Sequence, residues 1–278
     1  MFDPVPSLSS ADSDLLLLDA MIGVAQNAGS RLLAAFSTDA RPDSREALIA
    51  GVAANEDRVA DGLQRALMAL RPQARWLTNE VESAPLPDGE WWVVDAVEGN
   101  VNHVHGLRDW GVSLTLMREQ RPVAAVVHQP LEALTWTAVR GGGARCNGAA
   151  IHVSAKSRLD AAIATTGQAE AQQVQTYGPI GASITHMLHH ALLVRMTVPS
   201  TFPMMQLARG QNDVFWQYCP VLPGVAAGWL IVTEAGGVVS RIDGTPWATG
   251  APDILMTAPH LHAAAVHALN GHEQVELA

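Results

Sequence analysis

The chain has 278 residues, 48% hydrophobic and 16% charged, with 27 acidic residues against 17 basic ones. That length buries a sizeable core and suits one large or two closely packed domains, while a single lysine, Lys156, and no basic cluster leave a phosphodiester backbone without a track, so nucleic acid is not an expected partner. Two cysteines, Cys146 and Cys219, make no disulfide framework, no run approaches the ~20 apolar residues of a membrane span, and the opening residues lack the basic and apolar segments of an export signal, so a cytoplasmic protein without membrane contact is expected.

Ser9 or Ser10 is placed to cap a helix whose first turn carries Asp12 and Asp14, and Leu15, Leu18, Ile22, Ala25, Leu32 and Phe36 follow at helical spacing. Turn residues at 41–46 break it. A second helix spans 48–70, with Val59, Leu63, Leu67 and Leu70 on one stripe and Pro72 stopping it. A short strand at 75–77 leads into Thr78-Asn79-Glu80. Residues 91–94 are β-branched and aromatic, suited to a buried strand, and Glu98-Gly99-Asn100 is turn chemistry that lets the chain leave sharply. Asp95 and Glu98 therefore sit at a strand end, where loops held by a rigid sheet collect ligands in mixed α/β proteins. Two carboxylates converging there suit a divalent metal, acid/base chemistry or the capping of a turn.

Strands at 110–118, 123–129 and 133–139 follow at hairpin spacing, and Gly141 to Gly143, with no lysine or helix start behind them, read as a turn. A polar stretch at 154–160 marks a boundary between an α+β domain at 1–155 and an α/β domain at 156–278. Beyond it strands (162–166, 194–198, 213–216, 238–242, 254–257) alternate with helices (184–193, 202–209, 224–235, 261–269), the pattern of a layered α/β domain. His186, His189 and His190 have zinc-compatible spacing, but no Cys, Asp or Glu completes the set, and they read as surface or partner-facing residues.

The segment 95–103, Asp-Ala-Val-Glu-Gly-Asn-Val-Asn-His, resembles the inositol monophosphatase family signature Asp-Pro-Ile-Asp-Gly-Thr-Thr-Asn-Phe. The stretch 110–148 resembles the family's strand run and its Gly-x-Gly-Ala-x-x-Asn-Gly, 224–239 resembles the second signature, and the likeness covers about 12–267. It implies an αβαβα layered sandwich of the α/β class, magnesium-dependent phosphatase chemistry in which carboxylates gather the cations, and a homodimer. It also implies where the family's residues fall: Asp95 is kept, the next aspartate is Glu98, the family's metal-binding glutamate is Asn79 with Glu80 beside it, and the aspartate opening the second signature is Gly224. Glu56 stands for an aspartate that helps hold a metal-bound water, Asn100 for the water-positioning threonine, His103 for an aromatic residue, 198–200 for a Gly-(Ser/Thr)-Ala segment, and Gln217 for a substrate-binding glutamate.

With two anionic ligands lost by this matching, the reading is an enzyme of this fold repurposed for metal-independent acid/base chemistry on a small molecule, with no cofactor. Asp95, Glu98 and His103 are its expected catalytic residues, and Asn79, Glu80, Gly99, Asn100, Asn102, His105, Ser200 and Gln217 its expected substrate contacts. The alternatives are a phosphatase keeping a weak Mg2+ site at Asp95 and Glu98, and a catalytically inactive binding or scaffold homologue.

Overall fold

The computed structural model describes residues 10–78, 85–168 and 173–271. Helices α1 (Ser10–Leu33) and α2 (Arg45–Leu70) precede a seven-stranded sheet whose spatial order follows the chain: β1 (Arg75–Trp76), β2 (Glu90–Glu98), β3 (Gly111–Arg118), β4 (Arg121–Gln129), β5 (Leu134–Val139), β6 (Ala144–Cys146) and β7 (Ala149–Ala150). Between β2 and β3 lies the short helix α3 (Asn100–Val104). Side chains alternate across the pleat and so divide the sheet's faces. Trp92, Val94, Leu114, Leu116, Ala124 and Val126 share a core with α1 and α2, whereas Val93, Ala125 and Val127 share one with residues of 202–235.

The second sheet has five strands, β8 (Ile163–Gly167), β9 (Leu193–Thr197), β10 (Val214–Tyr218), β11 (Val238–Ser240) and β12 (Asp253–Thr257), in the order β11-β12-β10-β8-β9. Its helices are α4 (Tyr177–Leu188), α5 (Thr201–Ala208), α6 (Leu222–Glu234) and α7 (His262–Leu269). Phe215 and Met256 join α5 and α6 in the core between the sheets, while Trp216 and Leu255 join Met187 of α4 and Leu261, Ala265 and Leu269 at α7 in an outer core. The layers run helix, sheet, helix, sheet, helix, the expected sandwich. Because α5 and α6 follow residue 156 in sequence yet pack on the first sheet, the two halves of the chain share one core.

Three local expectations change. The buried stripe of α1 is Leu17, Met21, Ala25, Ala28 and Leu32, and Leu15 is half exposed, because four consecutive leucines at 15–18 leave the helix phase to be set by its fit against β4. The turn after Glu98 closes into α3 rather than staying open. Helix α4 begins at Tyr177 and ends before His189, so the three histidines do not share one helix. The side chains of Ser9, Ser10 and Asp12 lie outside the described residues. At 141–143 the turn is held by Glu234, whose Oε1 and Oε2 accept from the amides of Gly141 and Gly143 at 2.8 and 2.9 Å. Among the described residues no helix is long and apolar enough to cross a membrane.

Candidate active site

The register of β2 against β3 slips between Asp95, opposite Ser113, and Glu98, opposite Gly111. This bulge re-aims the strand end between the two carboxylates, which lie three residues apart on it. Asp95 is half-buried and its Oδ1 accepts the Val97 amide at 3.1 Å; Glu98 is 3% exposed. Gly99 follows at φ 76°, where a Cβ would come within 2.5 Å of the Asp109 carbonyl and 2.9 Å of Pro199 Cγ, so only glycine fits. Asn102 closes the corner by donating from Nδ2 to both Asp109 O and Val198 O, each at 2.8 Å. It braces two loops against each other, and both hydrogens of its amide are spent.

Asn100 is engaged as well. Its Nδ2 donates to Val52 O and to Glu56 Oε1 at 3.1 Å each, and its Oδ1 accepts from Asn55 Nδ2 at 2.8 Å. Asn55 also meets His103 Nδ1 at 3.0 Å, and His103 Nε2 lies 3.0 Å from Leu32 O. The His103 ring, 4% exposed, packs edge-on against Phe36 and Trp110 at 5.4 and 4.6 Å between centroids. Burial lowers its pKa below the ordinary 6.5, the Leu32 carbonyl opposes that shift, and Arg58 adds to it. His105 folds back on its own helix, Nδ1 at 2.8 Å from Val101 O.

The facing wall comes from the second sheet. Pro199, after a cis bond from Val198, touches Gly99, and Ser200 begins α5 beside Gly167 at the end of β8. A Cβ on Gly167 would meet Ser200 Oγ and lie 3.0 Å from Gln217 Oε1, so these three residues form one cradle. Gln217 is 4% exposed and its buried Oε1 has no hydrogen-bond donor among the described residues. Thr201 Oγ1 donates to Gly224 O at 3.1 Å, which sets the starts of α5 and α6 side by side. A cavity lined by Asp109, Thr197, Pro199 and Phe202 opens against the same loops. Gly99 and Asn102 thus meet 198–199, Ser200 and Gln217 meet at Gly167, Asp95 and Glu98 lie on the segment that leads into Gly99, and Asn100 turns to α2; Asn79 and Glu80 lie outside the described residues.

The chemistry of two donors here suits magnesium, although among the described residues no group of three or more His, Cys, Asp or Glu gathers to hold an ion. Asp95 and Glu98 offer hard anionic oxygens from one segment, and magnesium is commonly held by one or two carboxylates with water and substrate phosphate completing its shell. Gly224 offers no side-chain oxygen, although a Cβ there would meet nothing nearer than Val221 Cγ2 at 3.6 Å. The residues that sequence reasoning missed are Asn55 and Gly167. Asn55 was visible in principle as a polar residue in register with Val59, Leu63 and Leu67 on the buried stripe of α2; Gly167 carried no local signal.

A model of the inositol monophosphatase family matches residues 16–274. The chain is 33% identical over 208 residues to inositol monophosphatase 2 of Solanum lycopersicum, covering 73% of this chain and 78% of that one, and 31% identical over 190 residues to inositol-1-monophosphatase of Rhizobium meliloti, covering 68% and 71%. The structure of an inositol monophosphatase from Anabaena superposes with TM-score 0.78 at 25% identity, over 92% of this chain and 96% of that one. These findings overturn the expectation of a repurposed, metal-independent enzyme without a cofactor: the family is one of magnesium-dependent phosphatases, and Asp95 and Glu98, the carboxylates that survive, are the pair given to the Mg2+ site in the alternative reading. The chain belongs to the inositol monophosphatase family.

Proposed function

We propose that the protein is a magnesium-dependent phosphomonoesterase acting on a small phosphorylated molecule such as an inositol monophosphate, with a weak metal site. The observation that carries this reading is the pair of carboxylates Asp95 and Glu98 flanking the bulge at the end of β2, in a chain matched to the family almost end to end. Asp95 and Glu98 would hold the metal, whose chemistry when bound is to neutralise phosphate charge and lower the pKa of water. Asn102 and Gly99 keep the loop against 198–199, Ser200 and Gln217 orient the organic part of the substrate, and the adjoining starts of α5 and α6 favour an anion nearby. The halves 1–155 and 156–278 each contribute one wall of the cleft. His103 holds the loop rather than moving protons, since both ring nitrogens are already engaged.

The test is a phosphate-release screen with inositol monophosphate and other small phosphomonoesters, with magnesium and with EDTA. Release that needs magnesium and disappears with EDTA is the expected result. We further propose a homodimer, supported by the edge strand β9, which leaves Leu193 and Met196 exposed at 39% and 48%. Light scattering at micromolar concentration should return twice the chain mass.

A further inference from the structure

A line of hydrogen bonds runs from α2 through α3 to the end of α1, and both its ends are main-chain carbonyls. Asn100 Nδ2 lies 3.1 Å from Val52 O, and His103 Nε2 lies 3.0 Å from Leu32 O. A carbonyl accepts and never donates, so both terminal side-chain atoms are donors and every direction between them is determined. With its NH2 group towards Val52 and Glu56, Asn100 turns Oδ1 to Asn55 at 2.8 Å; Asn55 must then present its own NH2, whose second hydrogen meets His103 Nδ1 at 3.0 Å. His103 is therefore neutral, with its proton on Nε2.

We propose that Asn55 and His103 are positioning residues: their relay fixes the Asn100 side chain, and with it the Gly99 turn behind Glu98, and protonation of His103 releases it. A proton on Nδ1 would face the Asn55 NH2 group, donor against donor, between two buried residues. The charged groups around the ring act in the same direction or are spaced from it. Arg58 of α2 repels an imidazolium, Glu56 is separated from the ring by Asn100 and Asn55, and Leu32, Phe36 and Trp110 supply no charge. The relay's consequence for turnover rests on the phosphatase reading, and its geometry does not.

The experiment is nitrogen-15 NMR of the full chain from about pH 7.5 to about pH 5, following the His103 ring and the Asn100 side-chain amide. The expected result is a neutral imidazole protonated on Nε2 at the start, and an Asn100 amide that shifts in the same transition in which His103 gains its second proton. In Asn55→Leu, close to asparagine in shape but without hydrogen bonds, Asn100 should no longer follow His103. For phosphate release, the acid limb of kcat/KM should move in His103→Phe while KM at neutral pH changes less than kcat. A proton resting on Nδ1, an Asn100 amide that stays still while His103 titrates in the wild type, or a His103 that remains neutral until the chain unfolds would each overturn the proposal. If no phosphomonoester is hydrolysed at any pH, the phosphatase reading fails and the NMR result still decides the relay.

Discussion

The two walls of the cleft are built on opposite plans. The first-sheet wall is charged and tightly bonded: Asp95 and Glu98 follow one another through a bulge, and Asn55, Asn100, Asn102 and His103 behind them spend their hydrogen bonds on holding the loop. The second-sheet wall carries no carboxylate at Gly167, Pro199, Ser200, Gln217 and Gly224, has Arg195 of β9 on the adjoining cavity, and keeps a buried acceptor, Gln217 Oε1, without a donor among the described residues. A metal site shared between such walls draws its charge from one side, while the other side is shaped for the neutral part of a ligand. On the proposed phosphatase reading, the difference would put weakness and specificity on the second-sheet wall and catalytic charge on the first.

The largest effect should come from the charged wall. Asp95→Asn or Glu98→Gln should lower magnesium-dependent turnover by at least about a hundredfold, since a bound metal contributes several kcal/mol to transition-state stabilisation and each tenfold is about 1.4 kcal/mol. Steady-state kinetics on folded variants checks this, and near-normal rates in both would remove the first wall from the chemistry. Gly99→Ala comes next. An L-residue at φ 76° costs about 1–2 kcal/mol, and its Cβ would press on the Asp109 carbonyl, so the thermal midpoint should fall and activity with it. Asn102→Ala, which strips a shared donor from two carbonyls, should cost about 1–3 kcal/mol by denaturant titration.

On the second-sheet wall, Gly224→Asp should tighten magnesium binding about tenfold or more in calorimetry, because affinity follows the charge of the ligand set and a Cβ at 224 meets nothing nearer than 3.6 Å. A folded variant that binds no better would mean that Gly224 does not face the metal. The smallest expected effect is that of pH on stability. Burial depresses the pKa of His103 and of His128 below the ordinary 6.5, so each contributes stability that is fully present above that value and lost as pH falls through the lowered one. The thermal midpoint should therefore drop on acidification, and it should drop less in His103→Phe, which keeps the ring packing against Phe36 and Trp110 but has nothing to titrate.

What the sequence disclosed follows the range of the forces involved. Strands β3 to β5 and helices α2, α5 and α6 were legible because alternation and helical periodicity are local and each element is buried along a full face. The phase of α1 was not, since four leucines in a row satisfy any face until a sheet selects one. The positions of Asp95 and Glu98 were legible from the signature, yet not the bulge, which is a property of the pairing with Ser113 and Gly111. Asn55 meets its partners 45 and 48 residues away, and Gly167, Ser200 and Gln217 converge from three separate elements, so no spacing rule announces them. Counting lost carboxylates along the sequence led to the expectation of a metal-independent enzyme, and the family match, which runs over nearly the whole chain, overturns it.

The dependence of phosphate release on magnesium concentration tests the central claim most directly. The account predicts a single saturable rise with a midpoint in the millimolar range, abolished by EDTA and absent in Asp95→Asn. Hydrolysis that proceeds undiminished in EDTA, or an Asp95→Asn variant with the same magnesium curve as the wild type, would contradict it.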